Sequence, residues 1–118
     1  MQKRSIHYFI KSNGSIPSKE FIDSLNPRAQ KKVFFVFRLI EENEAISTKF
    51  FKKMSGTSGL WEVRIEYESN IYRLLGFLAG GKWIVLTNGF QKKSQRTPSN
   101  EIEIAESYKR EYLERNPK

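Results

Sequence analysis

Cysteine is absent from this 118-residue chain, and histidine and aspartate occur once each, as His7 and Asp23. The first absence excludes disulfides, iron–sulfur clusters and thiolate zinc sites. A single histidine excludes a His-based metal site, or a paired-histidine nuclease site, within one chain. A single aspartate disfavours a metal site built from carboxylates. No metal and no cofactor is therefore expected. Long apolar runs are also missing: nothing approaches the roughly 20 residues that cross a bilayer. Met1-Gln2-Lys3-Arg4-Ser5 is followed by no apolar stretch of signal-peptide length. The expectation is one cytoplasmic domain over residues 1–118, with room for a single core and no membrane contact.

Acid is scarce in particular places. Residues 69–100 contain no Asp or Glu but carry Arg73, Lys82, Lys92, Lys93 and Arg96. Residues 45–61 are also acid-free and carry Lys49, Lys52 and Lys53. The chain is +8 overall, so these two windows hold the whole excess and the remainder balances. Positive charge gathered in this way points to an anionic partner, with nucleic acid favoured.

Local patterns divide the chain into elements. Ile6-His7-Tyr8-Phe9-Ile10 reads as a strand. Pro17-Ser18 opens a short helix that turns Phe21, Ile22 and Leu25 inward. Asn26-Pro27 starts a second helix, since Asn caps and Pro suits the first helical position. Val33, Val36, Phe37 and Ile40 form its buried stripe, which Phe34 and Leu39 widen. The two helices form a hairpin whose apolar surface offers a partner a groove that does not touch the basic turn after the last strand. Leu60 to Glu66 alternates, with Trp61, Val63 and Ile65 on one face and Glu62, Arg64 and Glu66 on the other. Residues 71–79 and 82–90 are two further strands around a Gly80-Gly81 turn. Thr97-Pro98 caps a last helix, with Glu101 in its first turn and Ile102, Ala105, Tyr108 and Tyr112 inward. The fold class is α+β: an N-terminal strand, a helical hairpin, a three- to four-stranded, mainly antiparallel sheet and a C-terminal helix.

The segment from Gly89 to Pro98 places Lys92, Lys93 and Arg96 on one turn after a buried strand. Arg73 sits mid-strand, where its side chain is held firmly and its fork suits phosphate oxygens. Arg64 shares the polar face of the neighbouring strand with Glu62 and Glu66. The competing reading of Arg73 is a cross-strand ion pair with one of those glutamates, worth little if exposed. Trp61 and Trp83 read as core, while Phe90, next to the basic turn, can stack on a base. His7 reads as packed or solvent-facing rather than catalytic.

Several motifs, in order and spacing over residues 52–112, resemble the phage-derived Gp49-like, HigB-type branch of the RelE toxin superfamily. They are Lys52-Lys53-Met54, Gly59-Leu60-Trp61-Glu62-Val63-Arg64, Tyr72-Arg73-Leu74, Ile84-Val85-Leu86-Thr87-Asn88-Gly89-Phe90, Lys92-Lys93, Thr97-Pro98, and Glu101-Ile102 to Ala105. The N-terminal third matches only in its pattern of elements. The resemblance implies a RelE-like small domain with a barrel-like sheet and helices on one side. It implies a toxin of a type II toxin–antitoxin system that cuts mRNA on the ribosome without a metal. Its partners would be mRNA, ribosomal RNA and a helix-turn-helix, HigA-like antitoxin, with operator DNA met only through the antitoxin complex.

The resemblance also implies that Arg73 binds phosphate and that Lys92 and Lys93 help the transition state. Arg64 and Glu62 join them as candidate catalytic residues. Lys49, Lys52, Lys53, Lys82, Phe90 and Arg96 are the candidate RNA or ribosome contacts. The base is either a lysine with a lowered pKa or Glu62. No acid stands out, because Pro98 occupies the general region after the basic turn and Tyr108 and Tyr112 read as core. The alternative is a noncatalytic RNA- or protein-binding module on the same fold.

Overall fold

The computed structural model describes residues 4–94 and 96–117. The first three residues, Gln95 and Lys118 lie outside the described residues, so the reading of the extreme N-terminus falls there. Eight elements follow in chain order: β1 (Ser5–Tyr8), α1 (Pro17–Asp23), α2 (Pro27–Glu42), β2 (Phe51–Lys53), β3 (Leu60–Tyr67), β4 (Asn70–Ala79), β5 (Trp83–Gln91) and α3 (Ser99–Arg115). The start of α2 is the expected one. Asn26 accepts a hydrogen bond from the Ala29 amide at 2.9 Å, and Pro27 occupies the first turn.

The strands form one five-stranded sheet in the order β1-β5-β4-β3-β2. β1 runs parallel to β5, and the other pairs are antiparallel. The sheet thus has five strands rather than three to four. β2 was not legible because it is three residues long and ends in two lysines, too short to show alternation. Gly80 and Gly81 both take positive φ in the β4–β5 turn, as a tight hairpin needs.

Both faces of the sheet are covered, which corrects the expectation of helices on one side. α1 and α2 pack Ile22, Val33, Val36, Phe37 and Ile40 against Val63, Ile65, Tyr72, Leu74, Ile84 and Leu86. α3 packs Ala105, Ile102, Tyr108 and Tyr112 against Leu60, Leu75, Phe77, Val85 and Phe90 on the other face. The burial pattern explains this: Tyr72 to Phe77 is buried without a break, as expected of a strand covered on both sides. Gly89 permits the close approach of α1, since a Cβ there would lie 2.5 Å from Leu74 and 2.6 Å from Phe21. Ser58, in the β2–β3 loop, ties down α3 through Glu106 and Lys109.

A bulge sets which β5 residues face α3. Leu75 pairs with Asn88 but Gly76 pairs with Leu86, so Thr87 is the extra residue. Its hydroxyl donates to the Leu75 carbonyl at 3.0 Å. Residues beyond it change face: Asn88 and Phe90 join the α3 side, away from Ile84 and Leu86.

Two aromatic assignments change. Phe34 does not widen the buried stripe of α2; it is 48% exposed, and its neighbour Phe35 is 54% exposed. Position 34 lies roughly 110° around the helix from the middle of the stripe formed by Val33, Val36, Phe37 and Ile40, and so points outward. Trp83 is 48% exposed rather than core, because it opens β5 at the end of the sheet, where it stacks on His7 at 3.6 Å. Trp61 packs against the α1/α2-side core as expected.

Candidate active site

α3 covers only part of its face of the sheet, and the polar ends of β3 and β4 lie beside it. Glu62, Arg64 and Glu66 recur at a spacing of two on β3 and share one side. Arg64 pairs directly with Arg73 on β4, and Arg73 pairs with Phe90 on β5. The two guanidiniums are therefore cross-strand neighbours, an arrangement that repels. Arg73 is 4% exposed, so little water screens it.

Glu62 holds this pair together. Its Oε1 lies 3.5 Å from Nε of Arg64 and 3.8 Å from Nε of Arg73. Neither distance makes a good hydrogen bond, and both buried Nε atoms lack a hydrogen-bond partner among the described residues. Each arginine is steadied at its far end by a backbone carbonyl: Arg64 donates to Thr48 at 3.1 Å and Arg73 to Tyr72 at 3.2 Å. Such buried donors are costly unless something anionic meets them.

Thr97 completes the set and was missed in the sequence. Its hydroxyl donates to Glu62 Oε2 at 2.8 Å. In the sequence the Thr-Pro pair reads as a helix cap. Instead Pro98 holds the N-cap position of α3, no side chain caps the helix, and Thr97 is left free for Glu62. The loop between β5 and α3 is anchored at both ends: the Lys92 amide donates to the Ile71 carbonyl at 2.7 Å, and Asn88 donates to the Glu101 carboxylate at 2.9 Å.

The result is a two-lobed cleft. One lobe, about 550 Å³, is lined by Arg64, Glu66, Ile71, Arg73, Lys92, Lys93 and Ser94. The other, about 350 Å³, is lined by Lys52, Lys53, Met54, Ser55, Glu62, Arg64, Lys92 and Thr97. Arg64 and Lys92 belong to both, so the lobes meet along those side chains. Six cations face two carboxylates across this surface, which gives it a net positive field. Burial lowers the Lys92 pKa from its ordinary value, and the nearby Arg73 charge lowers it further. Burial and then Arg64 likewise lower that of Arg73, against the opposing pull of Glu62 and Glu66. Arginine still keeps its proton at any working pH, whereas a lysine so placed can shed one.

The remaining candidates fall elsewhere. Lys49 is exposed one residue beyond the carbonyl that holds Arg64, and Arg96 is exposed beside Thr97. Neither lines the cleft. Lys82 is at the opposite end of the β4–β5 hairpin with Leu78 and Trp83, about 20 Å along the strand from Arg73 at roughly 3.3 Å per residue. Phe90 is 8% exposed and buried in the α3-side core, where it offers no ring face to a base. The tyrosines supply no obvious acid: Tyr72 turns to the other face, and Tyr108 and Tyr112 pack under α3. Among the described residues, no three His, Asp or Glu side chains gather as metal ligands.

The family model of the phage-derived Gp49-like proteins matches residues 20–110, a stretch that contains every lining residue of the cleft. No curated protein matches the chain.

Proposed function

The chain belongs to the phage-derived Gp49-like family, a RelE/HigB-type toxin family, and from that premise we propose that it is a ribosome-dependent mRNA endoribonuclease. The observation that carries this reading is the facing Arg64–Arg73 pair, whose buried Nε donors lack hydrogen-bond partners among the described residues, beside a cleft walled by Lys92 and Lys93. The two guanidiniums share a single carboxylate, Glu62, and a phosphodiester supplies a second anion. It also suits the planar forks of two arginines better than it would suit lysines.

The chemistry is an in-line transfer within the RNA. The neutral Lys92 amine takes the proton from the 2′-hydroxyl, and that oxygen attacks its own 3′-phosphate. The bond from phosphorus to the 5′-oxygen breaks, leaving a 2′,3′-cyclic phosphate and a 5′-hydroxyl. Arg73 and Arg64 meet the added negative charge on the phosphate oxygens, the kind of preorganised stabilisation that dominates many reactions. Glu62, held by Thr97, keeps both guanidiniums aimed into the cleft. The 5′-oxygen gains its proton at the open mouth of the cleft, where Lys93 is exposed to water. Lys52 and Lys53 extend the positive surface along which an RNA strand runs.

Free RNA is a poor substrate in this reading. The cleft is open and supplies few proton-transfer groups, so the ribosome fixes the strand in an attack-ready geometry. The test is end mapping of an mRNA translated in vitro and of the same mRNA free in solution. Cuts at ribosome-occupied codons with cyclic phosphate ends are expected only in the translated sample. Efficient cutting of the free RNA would contradict ribosome dependence. No cuts from folded protein would favour a noncatalytic RNA- or protein-binding module.

A further inference from the structure

α2 carries a second concentration of positive charge, on the far side of the sheet from the cleft. Residues 24–40 contain no acid, but Arg28, Lys31, Lys32 and Arg38 all lie on this helix. Arg28, Lys31 and Arg38 are exposed, and none of the four forms a salt bridge among the described residues. Between them stand Phe34 and Phe35, each about half exposed. Lys32 Nζ lies over the Phe35 ring at 6.0 Å, so the cations and the rings form one surface.

This pattern opposes the stability of the helix itself. The first turn contains no acid and the last turn no base, while Glu41 and Glu42 stand at the C-terminal end. Both ends are therefore unfavourable to the helix dipole. Arg28 also repels Lys31 and Lys32, three and four residues on. Helix α3 has the favourable order, with Glu101 in its first turn and Arg115 in its last. Glu41 has a structural role, since it accepts the Ile6 amide at 2.9 Å. The cations make no salt bridge or hydrogen bond among the described residues, and local rules are broken without such compensation mainly at functional surfaces.

We infer that the outer face of α2 docks an acidic, amphipathic helix of a partner protein. Phe34 and Phe35 would enter its apolar face, and Arg28, Lys31 and Arg38 would meet acids at its rim. A second copy of this chain is a poor occupant, because it would set the same cations against one another. RNA is less well matched: Lys32 already lies over the Phe35 ring, and a stacked base would compete with it. A toxin of this family implies an antitoxin. An antitoxin helix seated here would leave the cleft uncovered. The inference holds whether or not the cleft cuts RNA.

The test is residue-resolved NMR of the labelled full chain titrated with a roughly 18-residue peptide, leucines on one face and glutamates on the other, long enough to be helical. The amides of α2 are expected to shift. Binding there should weaken at least about tenfold in the double variant Phe34→Ser, Phe35→Ser, because buried aromatic anchors dominate such interfaces. The separate double variant Arg28→Glu, Lys31→Glu should weaken it with the phenylalanines intact. Thermal unfolding checks that each variant remains folded. Shifts confined to Arg64, Arg73 and Lys92, no binding at millimolar peptide, or folded variants that bind like wild type would each overturn the inference. An RNA duplex that shifts the α2 amides as strongly as the peptide does would overturn it in favour of nucleic acid.

Discussion

The two basic surfaces are built differently. In the cleft, Arg64 and Arg73 rise from adjacent strands, Arg73 is almost wholly buried, and one carboxylate steadies both. On α2 the cations are mostly exposed, form no salt bridges among the described residues, and are interleaved with two half-exposed phenylalanines. Strands and burial fix guanidiniums to the accuracy that stabilising a transition state requires. An exposed helix face with flexible stems and apolar centres suits docking, where shape and steering matter more than sub-ångström placement. In the proposed reading, similar charge serves two purposes, and the environment decides which.

The largest expected effect comes from the cleft. Arg73→Met should lower cleavage by about 10²–10³-fold or more, as loss of a preorganised charge does, and should abolish growth arrest on expression. It should leave peptide binding at α2 intact. Next is Thr97→Val, which removes the hydrogen bond to Glu62 and should cost about 10- to 100-fold in rate, the range for a bond to a charged group. Thr97→Ser should restore most of it. An equal loss in the serine variant would mean that Thr97 acts through packing alone.

Lys92 gives the comparison a pH dependence. Its lowered pKa means that the neutral amine, the form proposed to take the proton, is populated at lower pH than for an ordinary lysine. Cleavage should rise with pH and level off above the Lys92 pKa, below the usual lysine value of 10.5. Lys92→Arg keeps the charge but cannot act as base and should lose that rise. The stability effect has a defined sign. Between the lowered folded value and the ordinary unfolded one, the unfolded chain holds more protons, so this group's contribution to stability increases with pH. Unfolding of wild type and Lys92→Met across that window would check it.

The smallest effects should come from residues outside the cleft. Phe34→Ser with Phe35→Ser should leave the cleavage rate unchanged while weakening docking. Lys82→Ala should change cleavage by no more than about twofold, since roughly 20 Å exceeds the 8–10 Å over which charges are felt in physiological salt. A larger loss would mean that the RNA path extends along the whole hairpin.

Much of this was legible in the sequence. Asn26-Pro27, the alternation of β3 and the inward stripe of α3 follow from local patterns that the structure carries, whereas the joining of Arg73 with Lys92 and Lys93 rests on the family resemblance. The rest needed three dimensions. An acid-free window marks a stretch of chain, not a patch, so residues 69–100 united Lys82 with residues at the other end of its hairpin. The Thr87 bulge reverses the facing of Phe90, and no strand periodicity reveals one inserted residue. Thr97 was hidden by a plausible capping role, because its partner Glu62 is 35 residues away. The α2 cations were concealed by bookkeeping: the residues outside the two windows balance in total, and the total masks residues 24–40.

The measurement that bears most directly on the cleft is cleavage of translated mRNA by Arg73→Met, taken with the unfolding midpoint of the same sample. Arg73 faces Arg64, so an apolar side chain of similar size relieves repulsion and removes a poorly paired buried charge. The cuts should disappear while the midpoint holds or rises. Cuts persisting at the wild-type rate in the folded variant would contradict the assignment of this cleft as the phosphate site.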